Sequence, residues 1–161
     1  MSSEQEVVKR LQQYFKDKNY KFRVRKKTGK IKELFLDSKL GGGKVDFFAY
    51  KEKKQKNQFI FVECKGKGMR SISQGYGQIL LYRVLFSKVN KKKLEEKMKK
   101  SGINTNKKEQ MLFCFAFHQE ALQKNSKVLR KLANNYSRLG IRTYIVGKKK
   151  IEVIRDKRLF D

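Results

Sequence analysis

Residues 59–66 read FIFVECKG, and the predictions of fold and function both start from this stretch. An apolar run of the kind found in buried strands leads directly into Glu63, Cys64 and Lys65. Side chains alternate between the two faces of a strand, so Glu63 and Lys65 share the face of the preceding phenylalanines. The sequence therefore predicts a buried strand that ends in a carboxylate and an ammonium on the same side.

A second acid interrupts the preceding apolar run, KVDFFAY (44–50), where Asp46 lies between Val45 and two phenylalanines. The polar segment KEKKQKN separates the two runs and predicts a hairpin. A buried carboxylate needs a counter-charge or a cation, because desolvating it alone costs several kcal/mol. Asp46, Glu63 and the Cys64 carbonyl together predict a site for Mg²⁺ or Mn²⁺. The structural alternative is a salt bridge from Lys65 to one of the acids at a sheet edge.

The remaining periodicities predict a single domain over residues 1–161, of the α/β class. The helix expected at 71–88 begins at Ser71, with Gln74 completing a capping box, and a basic helix ends at Gly102. The other predicted elements are a helix at 4–16, strands at 20–26 and 33–37, a glycine turn at 41–43, a strand at 111–117, a helix at 119–139 and a hairpin over 141–147 and 149–154.

The charge balance predicts a polyanionic partner. The chain has 42 Lys and Arg against 15 Asp and Glu, a net charge of +27. Such self-repulsion favours nucleic acid as the partner, because lysines that neutralise phosphates release condensed counterions. The alternative is a lysine-rich surface that serves solubility or heat tolerance, but such surfaces usually balance lysine with glutamate.

The two cysteines, Cys64 and Cys114, lie inside apolar runs, which is typical of buried reduced thiols. Neither belongs to a CxxC pair, so we expect no iron–sulfur cluster and no zinc site. The segment MSSEQEVV lacks the pattern of a signal peptide, and no apolar run approaches the length of a membrane span. The expectation is a cytoplasmic protein without a membrane partner.

Asp46 on one strand and Glu63-x-Lys65 on the next resemble the PD-(D/E)xK nuclease superfamily, although Val45 stands where the name-giving proline often is. The resemblance implies a restriction-endonuclease-like α/β sandwich with a central mixed sheet flanked by helices. The core would occupy 1–117, with a basic surface insertion at 90–102 and an extension at 119–154. It also implies a Mg²⁺-dependent deoxyribonuclease, in which Lys65 positions the attacking water.

The string EQEVV resembles the first helix of archaeal Holliday junction resolvases, in which such a glutamate completes the metal site. Glu4 lies close to the centre of the apolar stripe of the predicted helix, whereas Glu6 lies on the opposite face. The resemblance therefore adds Glu4 to the expected ligands. The alternative is a first-turn glutamate that the helix dipole favours.

Gln78 and Tyr82 have the Q-x-x-x-Y spacing of the RecB-like branch of the same superfamily. Gln74 and Gln78 share a face with two leucines of a helix that is otherwise apolar nearly all round. We therefore expect both amides to be buried and to need partners, which a metal site or a scissile phosphate would supply. A core tyrosine and helix-packing glutamines are the structural alternatives.

Expected nucleic-acid contacts are the glutamines of this helix together with nearby cations. Lys67 and Arg70 belong to the glycine-containing segment GKGMR ahead of the helix, and Lys44 follows the glycine turn. The resemblance implies DNA, including branched or structured DNA, while the residues alone do not distinguish DNA from RNA. A resolvase would act as a two-fold homodimer. The rival interpretation is a non-catalytic nucleic-acid-binding protein on a degenerate nuclease fold.

Overall fold

The computed structural model describes residues 1–24, 45–86, 91–100 and 102–156. The helices are α1 (Ser3–Asp17), α2 (Met69–Phe86), α3 (Lys91–Lys100) and α4 (Leu122–Arg138). The strands are β1 (Lys21–Val24), β2 (Phe47–Glu52), β3 (Lys56–Cys64), β4 (Lys108–His118), β5 (Ile141–Val146) and β6 (Ile151–Ile154). The strand predicted at 33–37, the turn at 41–43 and Lys44 lie outside the described residues.

The six strands form one mixed sheet in the order β1-β2-β3-β4-β5-β6. Strands β1 to β3 are antiparallel neighbours, β4 runs parallel to β3, β5 runs parallel to β4, and β6 returns antiparallel. Parallel neighbours need crossover connections, and α2 and α4 occupy the two crossovers. The expected α/β class and the β2–β3 hairpin are confirmed.

Helices cover both faces of the sheet. Helix α1 buries Val7, Leu11 and Phe15 against one face, in a cluster that includes Cys64 and Cys114. Helices α2 and α4 pack on the other face. Strand β3 lies between these layers and is buried from Asn57 to Cys64, as the near-continuous apolar run predicts for a strand covered on both faces. Both cysteines are free and buried.

The N-terminus of α2 differs from the prediction. The helix begins at Met69 rather than Ser71, and the Ile72 N–H already donates to the Gly68 carbonyl at 3.0 Å. The observed capping box belongs instead to α1, where Ser2 Oγ accepts from the Gln5 N–H at 3.1 Å and Gln5 returns a bond to the Ser2 N–H. The spacing of a serine and a glutamine does not distinguish a cap from a pair inside the first turn.

The chain after α2 follows the expected order with shifted bounds. Gly102 has a φ of 76° after α3, which agrees with the predicted glycine stop. Strand β4 begins before the predicted start at 111. The helix predicted from 119 starts as a 3-10 turn at Gln119–Ala121 and continues as α4, with Leu129 and Ala133 buried as expected.

A glycine allows α2 to approach the sheet closely. A methyl group at Gly75 would lie 2.4 Å from Cε2 of Phe115 and 2.9 Å from Cγ of Lys65. Gly77, on the exposed side of the same helix, would meet nothing within 4 Å. The absence of a side chain at Gly75 therefore sets the distance between α2 and the end of β3.

We expect Gly75→Ala to destabilise the protein by about 1–3 kcal/mol, because the methyl group overpacks the interface between α2 and the sheet. Gly77→Ala is the matched control and should stabilise it by about 0.5–1 kcal/mol, since alanine is the better helix former. Denaturant unfolding of both variants measures the difference. Equal effects of the two substitutions would contradict the close approach at Gly75.

Candidate functional site

Asp46 and Glu63 meet where β2 begins and β3 ends. Phe47 pairs with Val62, so the next positions along the hairpin bring Asp46 beside Glu63. Asp46 lies outside β2, and its Oδ2 accepts the Cys64 N–H at 2.9 Å. This carboxylate oxygen takes the place of a strand carbonyl as partner of the Cys64 amide, which fixes Asp46 at the carboxyl end of β3.

Glu63 is a buried acid next to a second acid. Its side chain is 5% exposed, and Oε1 lies 3.4 Å from Nζ of Lys65. No N–H donor reaches the buried Oε2, and the Glu63 carboxyl group forms a side-chain hydrogen bond with Asp46. Burial, followed by the negative charge of Asp46, raises the pKa of Glu63 to about 8, and Lys65 offsets only part of this shift. Without a further cation, Glu63 is therefore held largely in its protonated form at neutral pH.

Lys65 is held on the same face as Glu63, as the strand alternation predicts. Its N–H donates to the Ala116 carbonyl of β4 at 2.9 Å, and its side-chain stem contacts α2 at Gly75. The side chain is 20% exposed. The contact between Lys65 and Glu63 that was the structural alternative is present and involves one oxygen of Glu63; it becomes an ion pair only when Glu63 is ionised.

The donor set at this strand end fits a divalent cation. Two adjacent carboxylates disfavour double ionisation, and a bound cation would relieve the repulsion between them. The N–H and C=O of one strand residue point to the same side, so the Cys64 carbonyl faces the side on which Asp46 accepts the Cys64 N–H. Carboxylate and carbonyl oxygens are the ligands that Mg²⁺ and Mn²⁺ prefer.

Among the residues that the structure describes, no third acidic or thiol side chain completes the pair. Within the described ranges, no group of three or more His, Cys, Asp and Glu side chains is placed to hold a metal ion. A cation at Asp46 and Glu63 would therefore depend on backbone oxygen and solvent for its remaining ligands, as Mg²⁺ commonly does.

Glu4 lies near this site without joining the pair. It is exposed in the first turn of α1, so the expectation that it is buried on the apolar stripe is wrong. A methyl group at Gly66 would lie 3.1 Å from the Glu4 N–H nitrogen, which places this turn against the loop after Lys65. Burial, followed by the negative charges of Asp46, Glu63 and Glu4, raises the pKa of the Cys64 thiol.

Glu6 takes part in a different network, at the end of β4. Its Oε2 lies 2.7 Å from Nη2 of Arg10 and 3.1 Å from Nε2 of His118. Nδ1 of His118 accepts the Glu120 N–H at 3.1 Å, so Nε2 carries the proton that is donated to Glu6. The hydrogen bond from His118 is the main cause that lowers the pKa of Glu6. Both ring nitrogens of His118 thus have hydrogen-bond partners, which is typical of a structural histidine.

The glutamines of α2 are exposed, which corrects the prediction of buried amides. Ile72, Tyr76 and Ile79 face the core, while Gln74 and Gln78 lie on the solvent side. The nearly uniform apolar character of this helix concealed which face meets the sheet. The solvent-exposed amides need no protein partner.

Gln78 nevertheless lies on the flank of α2 that can border the site. Gln78 follows one turn after Gly75, the position at which α2 touches Lys65. Tyr76 stacks on Tyr136 of α4 with ring centroids 4.4 Å apart, and the helical spacing puts Gln78 on the flank away from α4. Tyr82 is half-buried and packs on the core cluster beneath α2.

The cations expected to bind phosphate lie around the loop between β3 and α2. Lys67 and Arg70 are exposed, and Nζ of Lys67 lies 3.3 Å from Oε2 of Glu120. This contact between two exposed side chains is weak, so Lys67 can exchange it for a phosphate. Lys44 lies outside the described residues.

Two residues that support the site were not predicted from the sequence. Gly75 lets α2 approach Lys65, and Glu6 attaches α1 to His118. The close backbone approach expected of the glycines in GKGMR is observed at Gly66, where the neighbour is α1. Glycine inside an apolar helix is a signal of close packing that could have identified Gly75. No local signal pairs Glu6 with a histidine so far away in the chain.

The raised pKa of Glu63 predicts a pH-dependent stability. A folded-state pKa near 8 against the usual 4.5 stabilises the fold at low pH. In metal-free buffer this contribution is lost as the pH rises from about 4.5 to about 8, on the order of 2–4 kcal/mol. Glu63→Gln should remove this loss of stability with rising pH. The measurement is the difference in free energy of unfolding between wild type and variant, from denaturant unfolding at several pH values. An unchanged pH profile in this variant would contradict the assignment.

Comparisons of the chain with protein-family models, with curated proteins and with solved structures find no match. No helix in the described part of the chain has the length and apolar character needed to cross a membrane. The function is therefore argued from the geometry of the strand end and from the resemblance that its motifs carry.

Proposed function

We propose that the protein is a metal-dependent nuclease that hydrolyses phosphodiester bonds of DNA. One observation carries the proposal: two acids, Asp46 and Glu63, lie together beside Lys65 at the buried end of a central strand, and burial together with the charge of Asp46 raises the pKa of Glu63 to about 8. Lys65 offsets only part of the cost of ionising both acids. A bound divalent cation would offset the rest.

The order of elements supports a nuclease of the PD-(D/E)xK type. Helix α1, the meander β1–β2–β3, the crossover helix α2 and the parallel strand β4 follow the order expected from the resemblance. Asp46 precedes the second strand of the meander, and Glu63 and Lys65 end the third. The proposed fold is therefore restriction-endonuclease-like, with β5, β6 and α4 as an extension.

Asp46, Glu63 and the Cys64 carbonyl would hold Mg²⁺ or Mn²⁺. Glu4, in the turn of α1 next to Gly66, is proposed to contact a ligand water. The ion would supply Lewis-acid stabilisation of charge at the scissile phosphate. Lys65, at 3.4 Å from Glu63, is placed to orient the attacking water and to stabilise the developing negative charge. Hydrogen bonding from the Cys64 amide keeps Asp46 in position during the reaction.

The charge of the chain supports nucleic acid as the substrate. A net charge of +27 supplies non-specific affinity for phosphates, and Lys67 and Arg70 lie next to the strand end. Gln78 and Tyr82, on the flank of α2, are proposed to contact the substrate beside the scissile phosphate. Affinity and cleavage are thus assigned to different residues, which makes them separable by mutation.

Lys65→Ala should lower the rate of DNA cleavage by about 10²–10³-fold, because it removes a positive charge from the reacting centre. Asp46→Asn and Glu63→Gln should abolish cleavage. All three variants should bind DNA in EDTA nearly as tightly as the wild type, since surface lysines supply the affinity. Labelled duplex, single strand, flap, four-way junction and RNA, each with Mg²⁺, Mn²⁺ or EDTA, form the substrate panel.

The chain contains matched controls for these substitutions. Glu52 and Lys54, and likewise Glu95 and Lys97, repeat the Glu-x-Lys spacing away from the site. Lys54→Ala and Glu95→Gln change exposed residues and should leave cleavage unchanged. DNA binding without cleavage of any substrate by the wild type would favour the non-catalytic nucleic-acid-binding protein.

Binding of a divalent cation should stabilise the fold by mass action. We expect about 2.7 kcal/mol of added stability when the ion concentration is one hundred times its Kd. The gain should disappear in Glu63→Gln and persist in Glu95→Gln. Thermal unfolding with and without Mg²⁺ or Mn²⁺ measures it, and an equal gain in both variants would contradict a site at Glu63.

A further inference from the structure

Helix α1 leaves part of its face of the sheet uncovered. It starts beside Gly66, and its 15 residues extend about 22 Å, whereas the 9 residues of β3 extend about 30 Å. Nζ of Lys51 donates to the Lys18 carbonyl at 2.8 Å, which places the end of the helix level with Lys51 and its strand partner Gln58. The beginning of β3 and its neighbours therefore lie beyond the helix.

Within the described residues, the part of the sheet beyond α1 carries a group of cations around one amide. On each strand, the residues of this group lie an even number of positions from a residue that packs on α1. Because side chains alternate between the two faces of a strand, the group lies on the same face of the sheet as α1. Lys53 joins them from the turn between β2 and β3. We call the group the basic sheet patch, and its members are Lys51, Lys53, Lys56, Lys108, Gln110 and Arg142.

The cations of the basic sheet patch are close enough to repel one another. Lys56 and Lys108 are directly paired across β3 and β4. The pKa of Lys53 is lowered by burial first and then by the positive charges of three neighbours, which are Lys56, Lys51 and Arg142. An anion bound among these groups would relieve this repulsion.

A chain of hydrogen bonds ends in a donor between these cations. The Tyr20 hydroxyl donates to Oε1 of Gln58, and Nε2 of Gln58 donates to Oε1 of Gln110 at 3.1 Å. Because Gln110 accepts through its carbonyl oxygen, it presents its NH₂ group as the last donor of the chain. Gln58 is only 5% exposed, so the chain is anchored in the core. The patch thus offers an oriented neutral donor as well as charge.

We propose that the basic sheet patch binds the phosphodiester backbone of nucleic acid, as a second contact surface away from the carboxylate pair. The six residue steps from Gln58 to Cys64 correspond to about 20 Å along β3. Lysines, an arginine and an amide donor are the groups that contact phosphates without reading bases. The inference rests on the proposed function in one respect, namely that the polyanion is nucleic acid.

The test compares two triple variants that remove the same charge. Lys53→Ala/Lys56→Ala/Lys108→Ala removes three cations of the patch. The control, Lys124→Ala/Lys127→Ala/Lys131→Ala, removes three exposed cations from α4, on the opposite face of the sheet. Binding of a labelled DNA duplex is measured in EDTA as salt rises from about 50 to 200 mM.

We expect the patch variant to lower the slope of log affinity against log salt by about one for each lysine, and the control to change it much less. Lys108→Glu and Lys131→Glu repeat the comparison at single exposed positions, where folding is not at risk. Equal weakening by the patch and control variants would overturn the proposal, because the affinity would then come from lysines spread over the whole surface. Loss of binding to phosphatidylserine vesicles with unchanged DNA binding would also overturn it.

Failure of this inference is distinguishable from failure of the nuclease proposal. Binding in EDTA does not involve a cation at Asp46 and Glu63, so a selective loss in the patch variant supports the patch even if no substrate is cut. The opposite outcome is also distinguishable. If Lys65→Ala abolishes cleavage while the patch variant cleaves and binds DNA like the wild type, the nuclease proposal is supported and the patch proposal is overturned.

Discussion

The burial of β3 from Asn57 to Cys64 governs the chemistry of the whole site. Helices pack on both faces of the sheet, and burial continues to Cys64, so Glu63 is removed from water at the strand end. A carboxylate in that position is costly unless it is protonated, paired or bound to a cation. The negative charge of Asp46 adds to the free-energy cost of ionising Glu63. Lys65 offsets only part of this cost, through a contact with one oxygen of Glu63.

The two halves of the sheet have opposite electrostatic character. The carboxyl end of β3 gathers Asp46 and Glu63 next to one ammonium, which is an environment for a cation. The basic sheet patch gathers lysines and an arginine around an amide donor, which is an environment for an anion. Under the proposed function, the phosphates of a nucleic acid would contact the patch directly and the carboxylates through a bound cation.

Close packing connects α1 and α2 to the carboxylate end. Gly66 and Gly75 allow the two helices to approach Lys65 from opposite faces of the sheet, and the hydrogen bond from His118 to Glu6 holds the first turn of α1 there. Rigid elements rather than long side chains therefore set the geometry around Glu63. Such preorganisation is what catalysis by positioning and electrostatics requires.

The features that could be predicted from the sequence are those that depend on neighbours along the chain. Strand alternation placed Glu63 and Lys65 on one face, and the hairpin brought Asp46 beside them, because both follow from local backbone geometry. Three features could be read only from the tertiary structure: Gln78 is exposed, Glu4 is exposed rather than buried with the apolar stripe of α1, and the basic sheet patch lies beyond the end of α1. These features depend on where one element ends relative to another. That distance is set by packing between segments far apart in the chain, which periodicity within a segment does not report.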